Sequence, residues 1–364
     1  MIRKVLKVIL YIISAFFFLI LSLVTVWWIN SPGKADPITN KNGETIPNSI
    51  SVIDTVRIGG LKQYVIIRGA DTTKPVMLFV HGGPGGPEIG MMKEKNRLIE
   101  NDFVMVYWEQ RGAGKSYNSN VPSESMNLKQ FIIDAGELSQ YLIKRFKKDK
   151  IYIMGHSWGS LLAILTANKY PELFHAYFGI GQIAHQYKGE LVSFEWAKDQ
   201  AQLHNDEKAI NELANLNFPD SLASNADWDE FLAIERNYIM KFGGGATREM
   251  KGILPLVKMI FLTHEYTIKE KIDYLRGSEF SVKYLWPEVI NTNLFNEIDS
   301  MQVPVYILQG LYDYQTPYPV AKDFFNQLKA PAKEFFIFEI SAHSPNMEEV
   351  EKFNSIVREL ARNN

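Results

Sequence analysis

Hydrophobic positions along this 364-residue chain follow three successive patterns. The first is an unbroken apolar run over residues 8–29 that carries no charge. A helix over that run is long enough to cross the roughly 30 Å hydrocarbon core of a bilayer. The second pattern begins at residue 50. Residues 50–58 and 62–68 are rich in β-branched side chains and read as strands. Short, wholly apolar runs follow at 76–80, 103–108, 151–154 and 176–180, the texture of strands buried on both faces of a parallel sheet. Between the later runs, apolar residues recur at helical spacing over 128–146 and 160–169, the second stopping ahead of Pro171. Strand alternating with helix predicts an α/β architecture, a mostly parallel sheet flanked by helices.

The third pattern interrupts the second. From 185 to 303 the chain is helical in texture, Trp- and Glu-rich, and broken by Gly243-Gly244-Gly245. The strand–helix rhythm then returns with a strand at 305–308, a helix at 320–328, a strand at 334–338 and a closing helix near 346–361. The middle block therefore reads as a helical cap inserted between late sheet strands. The expected organisation is a membrane segment (1–30), a polar Pro/Gly-containing tether (31–49), a first part of the core (50–184), the cap (185–303) and a second part of the core (304–364).

Charge sets the topology expected of the first segment. Arg3, Lys4 and Lys7 precede the apolar run, whereas Lys34 and Lys41 beyond it are offset by Asp36 and Glu44. The positive-inside bias predicts a cytoplasmic N-terminus and an extracytoplasmic remainder, with Trp27 and Trp28 at the outer interface. A cleaved signal peptide has a shorter apolar core ending at a small-x-small site. Trp27-Trp28-Ile29-Asn30 offers no such site, so an uncleaved single-pass anchor in the cell membrane is expected. Over the whole chain 39 basic residues face 41 acidic ones, a net charge of −2, with no basic stripe to attract nucleic acid. There is no cysteine, which excludes a disulfide framework, a thiol nucleophile and a Cys-based zinc site. No ligand cluster suggests a metal, and no cofactor is expected.

The chemistry concentrates at strand ends. Gly155-His156-Ser157-Trp158-Gly159 follows the strand at 151–154 directly and opens a helix. A G-x-S-x-G pentapeptide between strand and helix is a nucleophile elbow: the turn is so tight that side chains at 155 and 159 would collide with the adjoining elements, and Ser157 is left exposed above the sheet. A serine hydroxyl needs a base to take its proton. In a parallel sheet of this kind an acid and then a histidine follow the serine in sequence. Asp313 lies just past the strand at 305–308, and His343 just past the last strand, both at carboxyl ends where such sheets gather their reactive groups. Asp299, ahead of the strand, would lie at the wrong end, and Asp323 falls inside a helix. Directly after the strand at 76–80 comes His81-Gly82-Gly83-Pro84-Gly85-Gly86, a loop suited to supply one oxyanion-hole N–H from Gly83, the second coming from Trp158. His81 and His156 are expected to orient these loops. Gly112-Ala113-Gly114-Lys115-Ser116 imitates the end of a phosphate-binding loop, but Glu109 stands where its first glycine would be and no helix can open at Tyr117–Pro122. It is not a nucleotide site.

Taken together, His81-Gly82-Gly83-Pro84-Gly85, Trp108-Glu109-Gln110-Arg111-Gly112-Ala113-Gly114-Lys115-Ser116 and Gly155-His156-Ser157-Trp158-Gly159-Ser160 resemble the prolyl iminopeptidase family of α/β-hydrolases, over roughly residues 50–364. The resemblance implies an α/β-hydrolase fold and removal of an N-terminal residue, often proline, from short peptides. It assigns the triad to Ser157, Asp313 and His343 and the oxyanion donors to Gly83 and Trp158. Such enzymes place carboxylates in or beside the cap to hold the substrate amine. By that likeness Gly277-Ser278-Glu279-Phe280 makes Glu279 the first candidate, ahead of Glu195 and Glu235, which sit in amphipathic helices. Two departures bear on amine anchoring: Glu109 replaces the family's Asp, and Tyr314 stands where some relatives carry a second glutamate. The same triad would also serve a carboxylesterase or lipase acting on small acyl esters, or a ligand-sensing domain of low turnover. The expected partners are a small peptide or ester substrate and the membrane. Oligomeric state is not legible.

Overall fold

The strand–helix alternation becomes one eight-stranded sheet in the computed structural model, which describes residues 2–252 and 254–363. The strands are β1 (Ile50–Ile58), β2 (Leu61–Gly69), β3 (Val76–Val80), β4 (Val104–Glu109), β5 (Ile151–His156), β6 (Phe174–Ile180), β7 (Val305–Gly310) and β8 (Lys333–Phe338), in the order β1-β2-β4-β3-β5-β6-β7-β8. β1 and β2 form an antiparallel hairpin whose two-residue turn has positive φ at both Gly59 (+52°) and Gly60 (+79°), a turn that matches strand twist and demands such residues. β2 is antiparallel to β4, and every later pairing is parallel. From β3 the chain moves outward to β4, then returns to place β5 on the other side of β3. This reversal opens a crevice at the carboxyl ends of β3 and β5, where open α/β sheets bind their ligands.

The runs are wholly apolar because both faces of the sheet are covered. Leu78, Val80, Val106, Ile153 and Ile307 point into one core; Met77, Phe79, Met105, Met154 and Leu308 alternate with them into the other. Helices α3 (Leu128–Phe146) and α4 (Trp158–Lys169) contribute Phe131, Leu138, Leu161 and Leu162 to the first core. Helices α2 (Ile89–Lys95) and α13 (Val350–Asn363) contribute Ile89, Met92, Phe353 and Val357 to the second. Each such side chain stabilises the fold by about 1.5–3 kcal/mol when fully buried.

Between β6 and β7 lie α5 (Gln186–Leu203), α6 (Glu207–Ala214), α7 (Asn225–Phe242), α8 (Leu254–Leu262), α9 (Ile268–Asn291) and α10 (Leu294–Glu297). They have an apolar core of their own, including Phe194, Trp228 and Phe231. Capping boxes at Ser224/Asp227 and Thr267/Glu270 start α7 and α9, and Gly243, at φ +87°, ends α7. After β7 come α11 (Tyr318–Gln327), α12 (Pro345–Glu348) and α13. The single closing helix expected near 346–361 is thus two helices, interrupted at Glu349.

α1 (Ile2–Ile29) covers the N-terminal apolar run, and its large apolar side chains from Val5 to Ile29 are exposed apart from Trp27. It is long and apolar enough to cross a membrane. The segment that follows is not the free tether its composition suggests. The Asp36 carbonyl accepts hydrogen bonds from Ser51 Oγ and Arg68 (2.5 and 2.7 Å), and its carboxylate meets Lys93 and His264 (2.7 and 3.0 Å). The buried Arg68 drives this arrangement. Its guanidinium is paired twice with Glu100 and still has donors to satisfy.

Candidate active site

Ser157 occupies a backbone conformation that side-chain-bearing residues rarely adopt (φ +56°, ψ −124°), at the turn from β5 into α4. Its flanking glycines are steric necessities. A Cβ at Gly155 would lie 2.1 Å from the Gly159 carbonyl oxygen, and one at Gly159 would lie 2.0 Å from that of Val80. The Ser157 N–H donates to Ile180 O at 2.9 Å, tying the turn to the neighbouring strand end. Ser157, Gly83 and His343 line a single cavity of about 500 Å³ under the cap.

Asp313 is fully buried directly behind His343. Its Oδ2 lies 2.9 Å from His343 Nδ1 and also accepts from Gln309 Nε2 and Thr316 Oγ1 at 2.8 Å. Its Oδ1 accepts the N–H groups of Gln315 and Thr316 at 2.9 Å. A carboxylate held by donors alone remains an acceptor toward Nδ1–H, which leaves Nε2 of His343 as the free base nitrogen. Space for the imidazole comes from Gly181. A Cβ there would sit 2.7 Å from Cε1 and 2.8 Å from Nδ1 of His343.

The glycine loop is drawn against the elbow, with the Gly82 Cα side facing Ser157: a Cβ on Gly82 would be 3.1 Å from Ser157 Cβ. Gly83 has φ +117°, where a Cβ would meet the Gly85 nitrogen at 2.5 Å. Gln110 bridges the two loops, donating to His81 O (3.0 Å) and accepting from the Trp158 indole (2.9 Å). Trp158 is fully buried. Burial also pushes His81 down to about 4, so it is a neutral spacer. The rest of the Glu109–Ser116 segment is internal scaffolding. Glu109, raised to about 7 by burial, accepts from Tyr266 OH at 2.6 Å, and Arg111 forms a bidentate pair with Asp134.

Nothing in the sequence pattern singles out Glu88, yet it links the two halves of the site. Glu88 Oε1 accepts Gly82 N–H (2.7 Å) and lies 2.8 Å from His156 Nδ1; His156 Nε2 lies 3.1 Å from the His343 carbonyl oxygen. Nδ1 thus faces a carboxylate, and Nε2 faces a carbonyl and, at 3.4 Å, the Ser344 hydroxyl, surroundings that favour the imidazolium. Burial opposes that charge, but the Glu88 carboxylate outweighs it and holds His156 above its ordinary value. Glu88 in turn is held low against the opposing effect of burial, mainly by His156. The chain Gly82–Glu88–His156–His343 fixes the base loop relative to the glycine loop.

Glu279 lies outside this arrangement. It is exposed on α9 and does not line the cavity, whereas Leu275 and Ser278 do. One residue beyond Ser278 is rotated about 100° around the helix, away from the wall. Glu195 is likewise exposed. Glu235, on an amphipathic helix and so expected to face water, is instead buried. It pairs with Arg236 (2.9 Å), which also reaches Glu190 on α5 (2.5 Å) and lines the cavity. Burial raises Glu235 to about 8. One oxygen of each glutamate, Glu190 Oε2 and Glu235 Oε1, is buried without a hydrogen-bond partner.

Residues 71–188 match the family described as Serine aminopeptidase, S33. Over 316 residues the chain is 32% identical to a protein of Bacillus subtilis named Probable aminopeptidase YbaC, covering 86% of this chain and 97% of that one. A proline iminopeptidase of Clostridioides difficile is 26% identical over 310 residues, 82% of this chain and 94% of that one. Among solved structures, a Mycobacterium smegmatis proline iminopeptidase aligns with a TM-score of 0.57 at 13% identity, over 85% of this chain and 98% of its own. An esterase from Exiguobacterium antarcticum aligns at 0.53 and 15% identity, over 85% and 98%. At these identities the structural likenesses speak for the fold alone.

Proposed function

Since the chain belongs to the prolyl iminopeptidase-like α/β-hydrolases, we propose that it is a membrane-anchored serine aminopeptidase releasing N-terminal residues from short peptides. The observation that carries this reading is the His343–Asp313 hydrogen bond on the wall of the cavity that Ser157 also lines. His343 Nε2 takes the Ser157 proton as Oγ attacks the scissile carbonyl carbon. The N–H groups of Gly83 and Trp158 hold the oxyanion, each worth about 2.7–4 kcal/mol in the transition state. His343 then protonates the leaving amine, and water, deprotonated by the same nitrogen, releases the acyl group. The substrate's free amine is directed to the cavity wall at Arg236, behind which the buried Glu190 and Glu235 share its guanidinium and keep an unpartnered oxygen each. Burial raises Glu235 to about 8, and an incoming ammonium opposes that rise by favouring the ionised form, which then sets two carboxylates against one guanidinium and one substrate cation. The uncovered apolar length of α1 supports the anchor.

The test uses the full chain in detergent with proline and other aminoacyl arylamides, their N-acetyl counterparts and short acyl esters. Turnover of the free-amine arylamides, lost in Ser157→Ala and blocked by a fluorophosphonate, is the expected result; Glu235→Gln should raise KM for them and not for esters. Preference for acyl esters, indifferent to a free amine, would favour the second reading, a carboxylesterase. That reading draws on the apolar cavity wall, which includes Met240, Met250, Met259 and Ile260.

A further inference from the structure

Helix α8 belongs to the wall of the reaction cavity and to the outer surface at once. Val257, Met259 and Ile260 line the cavity together with Ser157 and His343. Leu254, Lys258, Phe261 and Leu262, spaced i, i+4, i+7 and i+8, form one exposed stripe. The three apolar members are 78%, 40% and 44% exposed. On α9, Ile272 and Leu275 are exposed as well, at 40% and 58%, and Leu275 lines the same cavity. An exposed apolar helix face of this kind marks a surface that something covers.

The end of α1 says what covers it. The Trp27 ring stacks on Phe261, centroids 4.6 Å apart and planes 20° from parallel. The Lys271 ammonium donates to Asn30 O (2.6 Å), Ser31 Oγ (2.9 Å) and Phe261 O (2.6 Å), clamping the last turn of α1 to the last turn of α8. Lys34 N–H donates to His264 O at 3.1 Å just beyond. α1 has 28 residues, about 42 Å of helix against a hydrocarbon core of about 30 Å. Its final turn with Trp27 and Trp28 therefore reaches the headgroup boundary, where such rings settle. Whatever is clamped to Trp27 lies at the same depth. Lys258, inside the exposed stripe, suits that boundary: its stem lies along apolar surface while its ammonium reaches lipid phosphate.

We propose that α8 is seated in the interface of the bilayer that α1 spans, and that the cavity behind it receives amphiphilic substrates from the lipid side, namely aminoacyl or peptidyl amides carrying an apolar chain. The proposal rests on the anchored aminopeptidase reading above. It adds to that reading the surface, its lipid partner and the substrate class.

The absence of cysteine makes the test direct. Single variants Leu254→Cys and Leu262→Cys carry an environment-sensitive fluorophore in the full chain, reconstituted in phosphatidylcholine–phosphatidylglycerol vesicles. Leu19→Cys on α1 and Leu222→Cys, at an 85% exposed cap position, serve as references. Labels at 254 and 262 should be quenched by doxyl lipid as the label at 19 is, and shielded from iodide relative to 222. Labels at 254 and 262 that behave like 222, with 19 quenched by lipid, overturn the seating of α8 and leave the anchor standing. A label at 19 that lipid does not quench overturns the anchor itself. For the substrate class, Leu254→Glu/Leu262→Glu, checked for unchanged thermal unfolding, should lower hydrolysis of proline dodecylamide in vesicles by about fivefold or more and leave proline p-nitroanilide unaffected. A parent enzyme that cleaves the p-nitroanilide and ignores the dodecylamide refutes the lipid-side route.

Discussion

Replacing Asp313 by asparagine alters few atoms and reverses the polarity of half the side chain. Five donors converge on the carboxylate: the N–H groups of Gln315 and Thr316 on Oδ1, and Gln309 Nε2, Thr316 Oγ1 and His343 Nδ1 on Oδ2. Backbone N–H groups cannot turn away, so the asparagine oxygen takes the Oδ1 place and its NH2 faces the others. Gln309 cannot simply flip to accept it, because its own amide is held by Thr316 O (2.8 Å) and Gln182 N (2.9 Å). The new donor therefore favours the His343 tautomer protonated on Nε2, the nitrogen that must be bare toward Ser157. Loss of this orientation in Ser-His-Asp hydrolases lowers kcat by about 10⁴-fold, which corresponds to about 5.5 kcal/mol of barrier. Mispaired donors in the buried pocket add about 1–3 kcal/mol of folding cost. The assay pairs kcat on an aminoacyl arylamide with fluorophosphonate labelling of Ser157 and thermal unfolding of the same preparation. A folded variant within about tenfold of the parental kcat would refute the assignment of Asp313 as the group that orients His343.

Three further outcomes are expected. Gly181→Ala puts a methyl group 2.7 Å from the His343 ring at a φ of +54°; about 10²-fold should be lost from kcat together with about 1–2 kcal/mol of stability from the left-handed backbone, and an unaltered kcat would contradict the placement of His343. Glu88→Gln removes a charge-assisted partner of His156 worth about 1.5–3 kcal/mol. Because Glu88 is held below its ordinary 4.5 and His156 above its ordinary 6.5, the pair stabilises fully between those values, fading as pH falls through the folded Glu88 value or rises through the folded His156 value; melting curves from pH 4 to 9 should show the widest gap from the parent inside that window, and a pH-independent gap would count against the ion pair. Glu279→Gln, at an exposed position outside the cavity, should leave arylamide kcat/KM within about twofold of the parent.

The sheet was legible because its strands are buried on both faces and so wholly apolar. The runs at 76–80 and 151–154 sit inside β3 and β5, and the helix at 128–146 has the bounds of α3. The elbow was legible because its two glycines answer to fixed backbone, the one at 155 to the Gly159 carbonyl a turn away and the one at 159 to the Val80 carbonyl at the end of the neighbouring strand β3. Other features depend on contacts that no local pattern carries. The α5–α7 charge cluster needs Glu190 and Arg236 side by side across two helices, 46 residues apart, so the periodicity of α7 alone assigns Glu235 to water. Residues 31–49 look like a tether by composition, yet they are bound because a backbone carbonyl, that of Asp36, satisfies a buried guanidinium 32 residues on. Glu279 misled for the converse reason: a motif fixes sequence position, while the facing of a side chain is set by the rotation of α9 as it packs.

Glu88 and His156 show why the unreadable contacts matter to the chemistry. The His156 and His343 rings lie 4.7 Å apart, centroid to centroid. In the proposed mechanism His343 becomes an imidazolium, beside a His156 that Glu88 holds toward its charged form. At an effective dielectric near 20, two unit charges at that separation repel by about 3.5 kcal/mol, enough to slow proton uptake several-hundredfold if nothing opposed it. Glu88, 2.8 Å from His156 Nδ1, supplies the opposing charge. It does so while anchoring Gly82 beside the proposed oxyanion donors, so one carboxylate bears on both the electrostatics of the proposed base and the position of the loop across from it. On this reasoning the kcat of Glu88→Gln depends on whether His156 sheds its proton. Above the lowered His156 value the variant regains a neutral neighbour for His343 and part of its rate; below that value the repulsion stands unscreened. A kcat deficit that grows as pH falls is the expected signature, and one that grows as pH rises would mean that the Glu88–His156 pair serves only to hold the loops.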